Sequence, residues 1–249
     1  MAPYVHSKYV MRANWLFLLA LGPVAVAQVD DVCNPADLFG PYAFQLTGST
    51  SIAGTPKPTA SLGRIVFDGH GNLSGTASAT FRGLLLGNPV TGSYEAKSDC
   101  TMTWKLQDDS GGFQNFSGKL STDGTEVQFR QTDPGVGPRG VMMKTPDTCS
   151  AEDLRKEYGF TISGSTTPMQ AGDVARTVSG KGTLDVAENG SFQVDSDCSV
   201  RFDLKVPDQD GEPSLITMRG FLVSGGKEIL AFQIDPGAMV AARLSSDAK

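Results

Sequence analysis

Residues 100–107 read Cys-Thr-Met-Thr-Trp-Lys-Leu-Gln, and residues 198–205 read Cys-Ser-Val-Arg-Phe-Asp-Leu-Lys. In both, an apolar side chain stands at every second position after the cysteine: Met102, Trp104 and Leu106 in one, Val200, Phe202 and Leu204 in the other. Period two puts these on one face of a strand and Thr101, Thr103 and Lys105, or Arg201, Asp203 and Lys205, on the other. Each segment therefore reads as a half-buried antiparallel strand.

Outward from these strands the whole chain repeats. Cys33, Asp37-Leu38, Tyr42, Phe44 and Gly48-Ser49-Thr50 return without a gap as Cys149, Asp153-Leu154, Tyr158, Phe160 and Gly164-Ser165-Thr166. Gly92-Ser93-Tyr94 with Asp99-Cys100 returns as Gly190-Ser191-Phe192 with Asp197-Cys198, and the block from Gly118 to Asp133-Pro134-Gly135 as Gly220 to Asp235-Pro236-Gly237. This is a tandem duplication of one cysteine-bearing unit, with expected boundaries of 28–146 and 147–249.

Residues 1–27 are expected to be a signal peptide. Lys8 and Arg12 precede a short apolar run from Trp15 to Leu21, and Ala25-Val26-Ala27 offers small residues for cleavage. The run is shorter than the roughly 20 residues of a spanning helix, and Gly22-Pro23 interrupts it. No stable membrane insertion is expected, and the mature chain is placed outside the cell or in the secretory lumen, where disulfides persist. The chain carries 21 Lys and Arg against 27 Asp and Glu, a net charge of −6. That sign disfavours nucleic acid as a partner. Three Asn-x-Ser sequons, at Asn72, Asn115 and Asn189, are candidate glycosylation sites.

Turn signals such as Asp68-Gly69-His70-Gly71-Asn72, Asp123-Gly124 and Gly225-Gly226 punctuate the alternating runs. The first unit holds about eight strands: 42–47, 61–67, 73–82, 89–96, 100–107, 113–121, 126–132 and 136–144. Only 151–157 reads as a helical turn. The expected fold is all-β, two tandem small antiparallel β-barrels with one disulfide each, the first of about eight strands. The second is shorter by 21 residues between Gly182 and Cys198 than the first between Gly63 and Cys100. Losing a hairpin preserves strand direction, so about six strands are expected there, in a smaller or partly open barrel. A two-sheet sandwich per unit is the alternative. Four cysteines allow three pairings. A bond that stabilised the ancestral single unit lies within each copy, giving Cys33 with Cys100 and Cys149 with Cys198; a crossed pairing of Cys33 with Cys149 is the alternative.

The elements Tyr42-x-Phe44, Phe67-Asp-Gly-x-Gly-Asn-Leu-Ser-Gly75, Gly92-x-Tyr94, Asp99-Cys-Thr101 and Thr132-Asp-Pro-Gly135 resemble those of a group of secreted tandem β-barrel domains frequent in soil bacteria. The second copy lacks the Phe-Asp-Gly-x-Gly-Asn turn and carries Asp197-Cys198-Ser199. By architecture alone the pattern also looks like the lipocalin and allene-oxide-cyclase class of barrels. That likeness implies an apolar ligand in the lumen, or its cofactor-free cyclisation or isomerisation, and an architecture does not fix a function.

Catalytic signatures are sparse. Beyond the leader the one histidine is His70, between two glycines in a turn, so no multi-histidine metal site exists there. Neither a Gly-x-Ser-x-Gly elbow nor a phosphate loop occurs, since Ser179-Gly180-Lys181-Gly182 lacks the required flanks. Asp208-Gln209-Asp210-Gly211-Glu212 opens like a calcium loop without its later ligands. No cofactor and no metal is called for. Asp99 and Asp197 are either buried acids for proton transfer or acceptors at a strand entry, and Asp133 and Asp235 are turn formers.

The strand with Gly75, Ala77 and Ala79 on one face leaves space in the first lumen unless the opposite wall fills it. Tyr42, Phe44, Met102, Trp104 and Phe129 are candidates for that wall, so these five with Ala77 and Ala79 form the candidate ligand site. Tyr42 and Asp99 are the candidate proton-transfer groups if a reaction takes place. Three functions are open: a binder of a small apolar molecule, a cofactor-free cyclase or isomerase, and a non-catalytic protein that recognises another protein or a glycan through its outer surface.

Overall fold

The computed structural model describes residues 33–249 apart from 53–54, 82–83, 136, 168–173, 189–191, 208–212 and 248–249. Side chains of 50–57, 80–86 and 206–214 also lie outside the description, as do the leader, Asn189 and the Asp208 segment. Among the described residues no helix is long and apolar enough to cross a membrane. The chain is all-β, with short 3-10 turns at Pro35–Asp37, Ala151–Asp153 and Ser224–Gly226. The expected helical turn at 151–157 is confined to three residues, and its counterpart follows Cys33.

The first unit has eight strands: β1 (Gly40–Ile52), β2 (Thr55–Phe67), β3 (Asn72–Phe81), β4 (Leu84–Ala96), β5 (Thr101–Asp108), β6 (Phe113–Leu120), β7 (Glu126–Gln131) and β8 (Arg139–Lys144). They form a closed antiparallel barrel in sequence order, completed by β1 on β8 from Tyr42↔Lys144 to Thr47↔Arg139. Closure leaves no unpaired edge. Alternation on β5 is strict, with Met102, Trp104 and Leu106 buried between exposed neighbours.

The second unit comprises β9 (Glu157–Thr166), β10 (Thr177–Asp185), β11 (Gln193–Val194), β12 (Ser199–Pro207), β13 (Pro213–Val223), β14 (Glu228–Gln233) and β15 (Ala238–Ser245). They form one seven-stranded antiparallel sheet in the order β10-β9-β15-β14-β13-β12-β11. Seven strands replace the six expected from parity. By register β11 is the counterpart of the last two residues of β4, and among the described residues no strand stands as the counterpart of β3. β10 ends at Asp185 opposite Glu157 and β11 pairs only with Val200 and Arg201, so the end of β10 and the whole of β11 lie at the disulfide end of the sheet. The parity constraint therefore does not apply. Leu184 of β10 and Val194 of β11 contribute to the same core, although β10 and β11 are not paired.

Both disulfides lie within a copy, Cys33–Cys100 and Cys149–Cys198. In each, the second cysteine sits at φ 67°, a left-handed conformation that costs a non-glycine residue about 1–2 kcal/mol. The flanking aspartates hold it. The Asp99 carboxylate accepts from the Thr101 amide and hydroxyl, and Asp197 accepts from the Ser199 amide. The Asp-Cys-Thr/Ser motif is thus a tight turn at a strand entry.

The two units join through a third apolar cluster. Ala43, Ala60, Leu62 and Met143 on the outside of β1, β2 and β8 pack against Phe221, Val223, Leu230, Phe232, Met239 and Ala241. The Gln45 amide crosses the same interface and donates to the carbonyls of Ala231 and Ala242.

Candidate functional site

The lumen of the first barrel is filled for much of its length. At the disulfide end lie Leu38, Tyr42, Phe67, Met102, Leu120, Val127 and Met142, all at most 3 % exposed. Above them comes an aromatic layer. Trp104 stacks on Phe116 with centroids 5.2 Å apart, Phe129 meets both edge-on at 5.1 and 5.8 Å, and Phe44 closes on Phe129 at 6.3 Å. Glycines on neighbouring strands make room for these rings. A Cβ on Gly63 would stand 2.5 Å from the Phe44 ring, and one on Gly140 would stand 2.8 Å from the Phe129 ring. The second unit repeats the device, with Gly182 beneath Phe160.

Beyond the aromatic layer, at the end away from the disulfide, is a cavity of about 90 Å³. Phe44, Leu46, Val90, Leu106 and Phe116 make its floor. Thr59, Ser61, Ala77 and Ala79 form a wall of small side chains, and Asn88, Asp108, Gln114 and Gln131 stand round its rim. The small-residue strand therefore does leave space, on the upper half of the barrel. The size is below the roughly 300–1,000 Å³ of ordinary ligand pockets, which restricts an occupant to a small molecule or one end of a larger one.

Of the seven residues expected to contact a ligand, Phe44, Ala77 and Ala79 line this cavity. Trp104 and Phe129 lie in the aromatic layer beneath it, and Tyr42 and Met102 lie at the closed end. Leu46, Val90, Leu106, Phe116 and the polar rim were missed. Alternation with Met102 and Trp104 marked Leu106 as inward, but not its height along the axis.

Tyr42 is fully buried, and its hydroxyl donates to the Gly124 carbonyl, as Tyr158 donates to the Gly226 carbonyl at 2.7 Å. Burial pushes the Tyr42 phenol up, aided by the negative charges of Asp37 and Asp123, and burial likewise raises Tyr158. Neutral tyrosine is thus favoured in the fold. Its stabilisation is complete below the ordinary tyrosine range near pH 10 and is lost as pH rises through the higher folded value. Unfolding monitored by circular dichroism should show stability falling above about pH 10. Tyr42→Phe should flatten that decline while costing about 1–3 kcal/mol at neutral pH, because the buried Gly124 carbonyl loses its donor.

Asp99 is exposed and spent on its own turn. Its hydrogen bonds to Thr101 hold its carboxyl below the usual range. Asp108 on the cavity rim is likewise lowered, first by the Ser110 hydroxyl and then by backbone donors. His70 is an exposed turn residue whose Nδ1 lies 2.8 Å from the Asp68 carbonyl. Asp133 and Asp235 clamp neighbouring strands by accepting from the Asn115 and Thr217 amides. Among the sequons, Asn72 is exposed and its side-chain amide donates to Asp68, and the part-buried Asn115 amide donates to Asp133. No cluster of metal-ligating side chains occurs among the described residues.

No protein-family model and no curated protein matches the sequence. Among solved structures, the matches include the vaccine antigen Transferrin Binding Protein B from Haemophilus parasuis Hp5. It is 8 % identical, with 83 % of this chain and 75 % of that one covered, at a TM-score of 0.25. A likeness of that degree informs neither topology nor activity.

Proposed function

We propose that the protein is a non-catalytic binding protein of an oxidising, extracytoplasmic compartment, one of the secreted tandem-barrel group its motifs resemble. The mouth of its first barrel receives a small apolar molecule or the apolar end of a larger one, and the second, partly open unit braces the first. The observation that carries this reading is the cavity above the aromatic layer, with an apolar floor, a wall of small side chains and three amides and Asp108 at its rim. Binding is favoured over cyclisation or isomerisation because, among the described residues, Asp108 is the one carboxylate on the lining, and Ser110 and Gly112 already occupy it.

The chain has two tryptophans, Trp15 and Trp104. In a Trp15→Phe background, Trp104 alone reports on the Phe116 ring that floors the cavity. Titration with short-chain and cyclic alcohols should give a saturable change in its emission. Ala77→Leu, which fills the cavity from its small-residue wall, should abolish that change with little effect on the thermal midpoint. Emission that never saturates with any of these probes, or that saturates equally in Ala77→Leu, would sink the cavity as a binding site.

A further inference from the structure

A second surface has its own chemistry. On the outside of the barrel, strand register aligns Thr103, Ser117, Arg130, Arg139 and Thr47 in one continuous row across β5, β6, β7, β8 and β1. Adjacent members are separated by the interstrand distance of about 4.8 Å. Gln128 and Gln45 stand in the next row, and Arg243 of the second unit closes one side, giving a cleft of about 680 Å³.

Arg130 and Arg139 are direct cross-strand partners, both exposed on the outer face. Like charges placed directly opposite destabilise a strand pair. Among the described residues neither guanidinium has a hydrogen bond or ion pair to offset this. Among the described residues no carboxylate lines the cleft. Glu95 continues the row beyond Thr103, Glu126 is engaged by Gln128, and Glu228 is 2.7 Å from Arg243. An uncompensated arginine pair in a chain of net charge −6 is a local inversion of sign.

We propose that this cleft binds a linear acidic glycan of the polyuronate type. Paired guanidinium forks match carboxylates bidentately, and the hydroxyls of Thr47, Thr103 and Ser117 in the same row match sugar hydroxyls. An acidic peptide offers the carboxylates but has no hydroxyl array for the rest of the row to engage.

Polygalacturonate binding by the full chain, measured by calorimetry at low salt, tests this site. Arg130→Ala/Arg139→Ala should weaken binding by about tenfold or more and, without glycan, should leave the thermal midpoint unchanged or higher. Ala77→Leu should leave polygalacturonate binding unchanged, so the cleft and the barrel mouth fail or stand separately. Neutral dextran should not bind. Absence of polygalacturonate binding, or binding indifferent to the arginine pair, would overturn the site. Polyglutamate bound as tightly as polygalacturonate would overturn the glycan as its occupant.

Discussion

Trp104→Ala is expected to destabilise the protein by about 3–5 kcal/mol, the usual cost of emptying a large aromatic site in a core. Trp104 is 4 % exposed and in ring contact with Phe116 and Phe129. Its surroundings are poorly able to collapse. Glycines already bring backbone close to the rings, and a barrel closed by hydrogen bonds on every strand cannot contract locally. Trp104→Phe should cost far less, since Phe202 occupies the equivalent position of the second copy, fully buried and stacked on Phe192. Urea unfolding of both variants measures the difference. A loss below about 1 kcal/mol for Trp104→Ala would mean that the aromatic layer is not closed and that the cavity runs deeper than its floor.

The larger effect is expected from the cysteines. The bonds span 67 and 49 residues, and restricting unfolded loops of that length stabilises a fold by about 4 kcal/mol each. Together they amount to about 8 kcal/mol, against total stabilities of about 5–15 kcal/mol for ordinary domains. Replacing all four cysteines by alanine should therefore leave a chain without a cooperative thermal transition above about 37 °C. Either single pair should leave a folded protein of lowered midpoint, lower for Cys33/Cys100 by a small margin. A quadruple variant that melts within a few degrees of its parent would show that the loops are already restricted before folding.

Much of the barrel was legible because its strands alternate strictly and its turns carry Asp-Gly signals at short intervals. All eight strands of the first unit lie where they were expected, with β1, β2 and β4 longer than expected. The disulfides followed from the duplication. The strand count of the second unit did not, because truncation of β11 to two residues at one end of the sheet carries no signature of its own. The motifs that the two copies share make matching hydrogen bonds in both. Tyr42 and Tyr158 tie turn carbonyls, Asp99 and Asp197 fix a left-handed cysteine, and Asp133 and Asp235 clamp a neighbouring strand. The small wall of β3, which belongs to the first copy, was legible from its own run of small residues, whereas the arginine pair of β7 and β8 was not. A ladder such as Thr103 to Thr47 is assembled from five separate strands, so it emerges only once register is known.

One signal in the second unit went unread. Ile229-Leu230-Ala231-Phe232 and Ala238 to Ala242 are continuous apolar runs, unlike the alternation of Glu126 to Gln131, and strands buried on both faces read this way. Their second face is the one that covers Ala43, Leu62 and Met143. The duplicated unit has consequently ceased to be a portable module. Each half covers an apolar face of the other, and a cut between them would uncover a matched pair of adhesive surfaces. Two outer strand faces, one from each half, thereby make one shared interior.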